Sequence, residues 1–378
     1  MLLKFEFTTT ILFGSGAVCK VGEEAAKLGR TAMIVTYPDI RRIGLVDKVM
    51  GYLKENEIDA IVFEKVEPNP RTATIDEAAE LARAKKVQLV IGLGGGSAMD
   101  SAKGIALASS GTASIWDYMS DRVDVTGVVP PIIQIPTMAG TGSEGNCGAV
   151  ITHWETHIKK PLMHPSIQAK VAIIDPEITL SVPLHQTKAG GVDILFHVLE
   201  PYLTDATSEP VTDGIRETCM KIVVKYLPRV ILNPDDLEAR TELCWASTIA
   251  TSQFAQLGGG GGPATCHGIE HALSGYYNVT HGEGLAALFP AWMESFKAVR
   301  KDRFNSLGRN VFGKEDGSKA MEEFLENVGM KLRLRSLGCK LEDARKIAEL
   351  AMKSSPYLSS HPIPLDVSSI SKIYQDSY

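Results

Sequence analysis

The chain has 378 residues, 44% hydrophobic and 22% charged, with 34 Gly and 19 Pro, a globular usage that excludes disordered or fibrous architecture. Lys+Arg 39 against Asp+Glu 45 gives a formal net charge of -6 without a basic run, so no nucleic-acid partner is expected. Its most apolar stretches, such as Val87 to Leu93, fall far short of the roughly 20 residues of a membrane helix, and the opening residues do not read as a signal or transit peptide. No membrane partner and a cytoplasmic location are therefore expected.

The first half alternates short apolar runs with helical segments. Thr31 to Thr36 precedes Leu45 to Leu53, Ala60 to Phe63 precedes Ile75 to Ala84, and Leu89 to Leu93 precedes Ala98 to Ala108. Such alternation predicts βαβ units on a parallel sheet, and unbroken runs such as Leu-Val-Ile-Gly predict strands covered on both faces. Ile132 to Pro136 and Val171 to Asp175 read as further strands, and Gly148 to Leu162 reads as a hairpin. Within it His153 and His157 are expected to be exposed polar residues, because i, i+4 spacing does not converge on a strand.

The Leu89 to Leu93 strand runs into Gly92-Leu-Gly94-Gly95-Gly96-Ser97-Ala-Met-Asp100-Ser-Ala-Lys103. A glycine turn between strand and helix offers bare N–H groups and a helix N-terminus to phosphate oxygens, with Ser97 placed to cap the helix. It is not a P-loop, since no Gly-Lys-Ser/Thr closes it. A second polar loop, Pro136-Thr137-Met138-Ala-Gly140-Thr141-Gly142-Ser143-Glu144, also follows a strand and suits ribose or phosphate contacts or a plain helix start.

From about residue 185 long amphipathic segments take over, among them Asp213 to Tyr226, Leu237 to Gln256, Lys319 to Val328 and Leu341 to Met352. The break near 177–188 sets the expected domains: an α/β dinucleotide-binding domain, 1–182, with a mostly parallel, Rossmann-like sheet, and an all-α domain, 183–378. The Gly258 to Gly262 run cannot lie inside a helix. The six cysteines are scattered without CxxC pairs, so reduced thiols are expected, Cys266 being a small core residue beside His267.

In the helical half Asp193 and His197 stand i, i+4, His267 and His271 repeat that spacing, and His281 follows. On helices each pair emerges on one face, and three imidazoles with a carboxylate suit Fe²⁺ or Zn²⁺ better than Ca²⁺ or Mg²⁺. His267-Gly-Ile-Glu270-His271 also matches the His-x-x-Glu-His pattern of zinc peptidases, with Glu270 as general base. A third reading is a catalytically idle nucleotide-binding protein.

Taken together, Glu67-Pro-Asn-Pro70, Gly94 to Lys103, Pro136 to Glu144, Asp175-Pro176, Gly191-Val-Asp193 with His197, His267 to Ser274, His281-Gly-Glu-Gly-Leu-Ala and Phe289 to Met293 resemble the iron-containing (group III) alcohol dehydrogenases, most closely their butanol dehydrogenase branch. The resemblance implies one divalent metal, Fe²⁺ or Zn²⁺, held by Asp193, His197, His267 and His281, with His271 as a non-ligating proton relay. It implies hydride exchange between a small alcohol or aldehyde and a nicotinamide cofactor. Gly94, Gly95, Gly96, Ser97 and Asp100 would lie on the pyrophosphate side, Thr137 and Thr141 on the ribose side. Met138 departs from the family's usual threonine. Where NAD-preferring relatives carry an acid after the early strand this chain has Tyr37, with Arg41 and Arg42 behind it, so NADP(H) is expected over NAD(H). A homodimer is expected.

Overall fold

In the computed structural model, residues 6–207, 209–256 and 264–378 are described, which leaves the expectation for Gly258 to Gly262 outside them. The chain divides into two compact units, one of residues 6–156 with 161–182, the other of 157–160 with 183–378. No helix among the described residues is long and apolar enough to cross a membrane.

The first unit is built on a parallel sheet. Its strands are β1 (Thr10–Phe13), β2 (Thr31–Val35), β3 (Asp59–Phe63), β4 (Leu89–Gly94), β5 (Ile132–Pro136) and, after the hairpin β6 (Gly148–His153) and β7 (Ile158–Met163), β8 (Val171–Ile174). The order across the sheet is β1-β8-β5-β4-β2-β3, every pairing parallel. β4 is buried along its whole length because helices cover both faces, as its unbroken apolar run requires. The period of two is visible in the core. Met33, Val35 and Val90 face one hydrophobic cluster, while Ala32, Ile34, Leu89 and Ile91 face the other.

The helices Leu45–Glu55, Thr72–Ala84 and Gly96–Ser109 fall where the sequence places them. β1 is absent from the sequence reading. Four residues at a sheet edge carry too little pattern to stand out from their neighbours, and only pairing with β8 makes them a strand. In the hairpin, His153 is half-buried against Trp116, with ring centroids 4.5 Å apart, and His157 is half-buried with Nδ1 3.1 Å from the Gly275 carbonyl. Neither is the exposed polar residue expected, because neighbouring aromatic rings and backbone cover the turn.

The second unit is helical: Leu184–Thr204, Pro210–Leu232, Leu237–Ala250, Thr265–Tyr277, His281–Phe296, Ala344–Ser354 and Val367–Asp376 are its longer elements apart from Gly317–Asn327. Gly191 lets the first two meet, since a Cβ there would lie 2.5 Å from the Leu227 side chain. None of the six cysteines is in a disulfide, and burial pushes the Cys266 thiol pKa well up, leaving it an inert core residue.

Behind the Thr265–Tyr277 helix, buried His361 places Nδ1 2.8 Å from Thr265 Oγ1, and the same oxygen accepts the Trp292 indole N–H at 2.9 Å. Burial, reinforced by Arg300, lowers the His361 pKa to about 4. The unfolded chain therefore binds this proton at higher pH than the folded chain does. The stability contribution is complete above about pH 6.5 and is lost as pH falls through about 4, up to roughly 3 kcal/mol. Urea midpoints at pH 7 and pH 4.5 should differ less in His361→Gln than in the wild type; an equal difference would contradict this.

Candidate metal and nucleotide sites

The glycine turn leaves β4 with Gly94 at φ 154°, a conformation that side chains rarely adopt, and a Cβ there would lie 2.8 Å from the Tyr37 ring. A Cβ on Gly96 would lie 2.5 Å from Thr141, and one on Gly95 3.1 Å from the Met138 sulfur. Tyr37, Met138 and Thr141 thus close on bare backbone, bringing six of the expected nucleotide residues together: Tyr37, Gly94, Gly95, Gly96, Thr137 and Thr141. Thr137 is tied in by its N–H, which donates to the Gly94 carbonyl at 3.0 Å.

Three residues depart from expectation. Ser97 is not the cap: extended Gly95 is the N-cap, no side chain caps the helix, and Ser97 lies inside its first turn. Asp100 accepts from Ser143 Oγ at 2.6 Å and from Val150 N–H at 2.8 Å, so its carboxylate fastens the second polar loop. Arg41 donates from Nε to Glu64 at 2.7 Å and from Nη1 to Asp47 at 3.1 Å, and Arg42 is paired with Asp39. The two guanidinium groups on which the NADP(H) expectation rests already have carboxylate partners.

Lys103, which the motif contains but sequence reasoning gave no role, is fully buried. Its ammonium donates to the Ser143 and Gly148 carbonyls, both at 2.6 Å, and to oxygens of Ser143 and Asn146. Burial lowers its pKa to about 8 against the pull of Asp100 and Glu144. The signal was available: Asp100 and Lys103 stand i, i+3 on one helix face, and together they fix the loop that carries Thr141.

In the helical unit Asp193 and His197 lie one turn apart on Leu184–Thr204, His267 and His271 one turn apart on Thr265–Tyr277, and His281 opens the next helix. That helix approaches closely because residue 282 is glycine, whose Cβ would otherwise lie 2.2 Å from the Ala189 carbonyl oxygen. Three imidazole Nε2 atoms then surround one oxygen: Asp193 Oδ1 lies 3.7 Å from His197, 3.7 Å from His267 and 3.6 Å from His281. These separations are too long for hydrogen bonds, and Asp193 Oδ1 and His267 Nε2 are buried without one. Bonds of about 2.0–2.2 Å to a tetrahedral ion would set donors about 3.4 Å apart, near the three separations from Asp193; Asp193, His197 and His267 hold their donor atoms within 4.8 Å of one another, whereas His281 does so with Glu270 and His271. His271 stands outside this set, its ring T-shaped to His267 at 6.3 Å.

The outer nitrogens of two of these imidazoles meet carboxylates. His267 Nδ1 lies 2.5 Å from Glu200 Oε1, and His281 Nδ1 is hydrogen-bonded to Glu270. A carboxylate behind a ligating imidazole fixes both its tautomer and its orientation. Glu200 also accepts the Cys266 and His267 N–H groups, at 2.8 and 3.3 Å, which covers two orphan donors at the helix N-terminus. Fully buried Glu270 has Lys159 3.9 Å away, and Lys159 donates to Ser274 Oγ at 2.8 Å.

Electrostatics favours a cation here. With the imidazoles neutral, as ligation requires, buried Asp193, Glu200 and Glu270 face one buried ammonium, Lys159, which leaves two negative charges that a divalent cation would balance. Burial opposes charge on His267, yet Glu200 and Asp193 outweigh it and raise its pKa to about 10. Burial likewise opposes ionisation of Asp193, and the surrounding imidazoles hold its pKa low all the same. His197, buried among like charges, is lowered to about 4. Burial, then Lys159 and the neighbouring imidazoles, keep His271 neutral.

Two family models match in sequence order: iron-containing alcohol dehydrogenase over residues 8–176, and the C-terminal model of the Fe-containing alcohol dehydrogenase family over 187–378. NADH-dependent butanol dehydrogenase A of Clostridium acetobutylicum is 35% identical, with all of both chains covered. The chain belongs to the iron-containing alcohol dehydrogenase family. NAD-dependent methanol dehydrogenase of Bacillus methanolicus is 31% identical over 97% of each chain. Among solved structures, NADH-dependent butanol dehydrogenase A of Thermotoga maritima superposes with a TM-score of 0.94 at 33% identity, covering 99% of this chain and 98% of that one.

As an alcohol dehydrogenase of this family the chain works with a metal and a nicotinamide nucleotide. The peptidase reading fails on geometry as well. Glu270 is fully buried, hydrogen-bonded to His281 and close to Lys159, so it cannot reach a water as general base. Glu200 and Lys159 are the site residues that sequence reasoning missed. Glu200 stands two turns from Asp193 on the same helix face, whereas nothing in the sequence links Lys159 to residue 270.

Proposed function

We propose that this dehydrogenase interconverts small primary alcohols and aldehydes, with Asp193, His197, His267 and His281 as the ligands of one Fe²⁺ or Zn²⁺. The observation that carries the reading is the three Nε2 atoms at 3.6–3.7 Å from Asp193 Oδ1, backed by two outer carboxylates. When bound, the cation supplies Lewis acidity toward the substrate oxygen and the nicotinamide ring supplies the hydride acceptor. Glu200 and Glu270 hold two imidazoles at fixed angles. The hydroxyl proton passes to His271, whose Nδ1 is buried without a partner; a neutral imidazole accepts at one nitrogen and donates at the other.

Bare backbone at Gly94, Gly95 and Gly96 and the Ser97 hydroxyl receive the pyrophosphate in this reading, with Tyr37, Thr137 and Thr141 flanking it. NAD(H) is the better-supported nucleotide, because Arg41 and Arg42 are engaged by carboxylates and because the butanol and methanol dehydrogenases above are named for NADH or NAD. A cytoplasmic homodimer is part of the same reading and is tested by sedimentation and cell fractionation. Butanol is the starting substrate, as the Clostridium and Thermotoga relatives are named for it. The deciding experiment is metal analysis of freshly purified protein combined with NADH and NADPH oxidation against straight-chain aldehydes. One equivalent of iron or zinc and NADH-linked turnover are expected; turnover undiminished after complete metal removal would refute the ligand assignment.

A further inference from the structure

The end of β2 is the place that decides between the two nicotinamide nucleotides. In doubly wound sheets the ribose lies beyond the strand neighbouring the phosphate turn, where an acid binds its hydroxyls or an arginine accommodates a 2′-phosphate. Here β2 neighbours β4, with Val35 level with Gly92, and the Tyr37 ring packs beside Gly94. Position 37 offers neither an acid nor a cation. Four residues on, Arg41 does offer a cation, and β3 delivers its partner. Parallel pairing sets Val35 level with Phe63, so the next residue of that strand's exit, Glu64, reaches Arg41 Nε at 2.7 Å.

Building on the nucleotide reading above, we propose that Glu64 is a specificity-determining residue, which by holding Arg41 keeps a latent 2′-phosphate site closed. Asp47 holds the second arm of the same guanidinium at 3.1 Å, and Asp39 pairs Arg42, so Glu64 is the foremost of three carboxylates around two arginines. Both Arg41 and Glu64 are about two-fifths exposed, and pairs of that kind are weakly held. A dianionic phosphate, which takes a guanidinium bidentately, gains access once the competing carboxylate is gone. Selectivity for NAD(H) thus depends on a carboxylate that never touches NAD(H) itself.

The test is the ratio of kcat/KM for NADPH to that for NADH, supported by the Kd of each nucleotide, in four proteins: wild type, Glu64→Gln, Glu64→Gln with Arg41→Ala, and Glu77→Gln. Glu64→Gln should raise the ratio about tenfold or more, and adding Arg41→Ala should abolish the gain. Glu77→Gln removes a carboxylate of the same unit that is more exposed and pairs with Lys65 instead of an arginine, and it should leave the ratio where it was, which separates a local effect from net charge. An unchanged ratio in Glu64→Gln, or a gain that survives without Arg41, overturns the assignment of Glu64 while NADH-linked turnover stands. A wild type that binds neither nucleotide overturns the functional reading, and this inference with it.

Discussion

His267→Ala is expected to purify without stoichiometric metal and to lose activity by about a thousandfold or more, while NADH still binds. The magnitude follows from removing a Lewis acid that contributes several kcal/mol to the reaction. His267 is central to the donor set: its Nε2 faces Asp193 Oδ1, its ring stacks on that of His197 with centroids 4.8 Å apart, and its Nδ1 is fixed by Glu200. Truncation removes a donor and leaves Glu200 with only backbone partners from this helix. Metal content by mass spectrometry and NADH fluorescence titration read the two halves of the prediction separately. Full activity in metal-free variant protein would sink the ligand assignment.

Glu200→Gln isolates the support from the ligand. Gln keeps the size and one acceptor for the Cys266 and His267 N–H groups, but its amide cannot also accept from His267 Nδ1. The expected result is a metal affinity 10–100-fold weaker, with the fold retained. In metal-free protein, loss of this carboxylate also brings the His267 pKa down from about 10, since Glu200 is foremost among the groups that hold it up against burial. Chelator competition measures the first effect and NMR titration the second. An affinity within twofold of wild type would show that the hydrogen bond only fills space.

The sequence carried the parts that depend on local periodicity. Asp193 with His197 and His267 with His271 could be assigned to shared helix faces from spacing alone, and the runs at β2, β4 and β5 were continuous enough to read as buried parallel strands, whereas β3 at the sheet edge is buried only at Phe63. Features made by distant segments were not legible. Glu64 reaches Arg41 only because β3 lies beside β2, so a pair of arginines that looks free in the sequence is already occupied in the fold. Lys159 is 111 positions from Glu270, and no pattern within either segment points to the other. Ser97 illustrates the remaining limit: whether a serine caps a helix or lies inside it depends here on a shift of two residues, which Gly95 settles by its extended backbone.

One property of the helical unit bears on how such a protein can be taken apart. Residues 157–160 belong with 183–378 although they lie in the first half of the chain, and Lys159 is the ammonium that faces buried Glu270. A fragment beginning at residue 183 would contain every proposed ligand and both supporting carboxylates, yet it would lack their cationic neighbour. Chimeras joined at that border inherit a hairpin turn from one parent and its receiving helix from the other. The unit of exchange among relatives is therefore the helical half together with the hairpin turn, and recombination that ignores this couples metal affinity to the parentage of four residues.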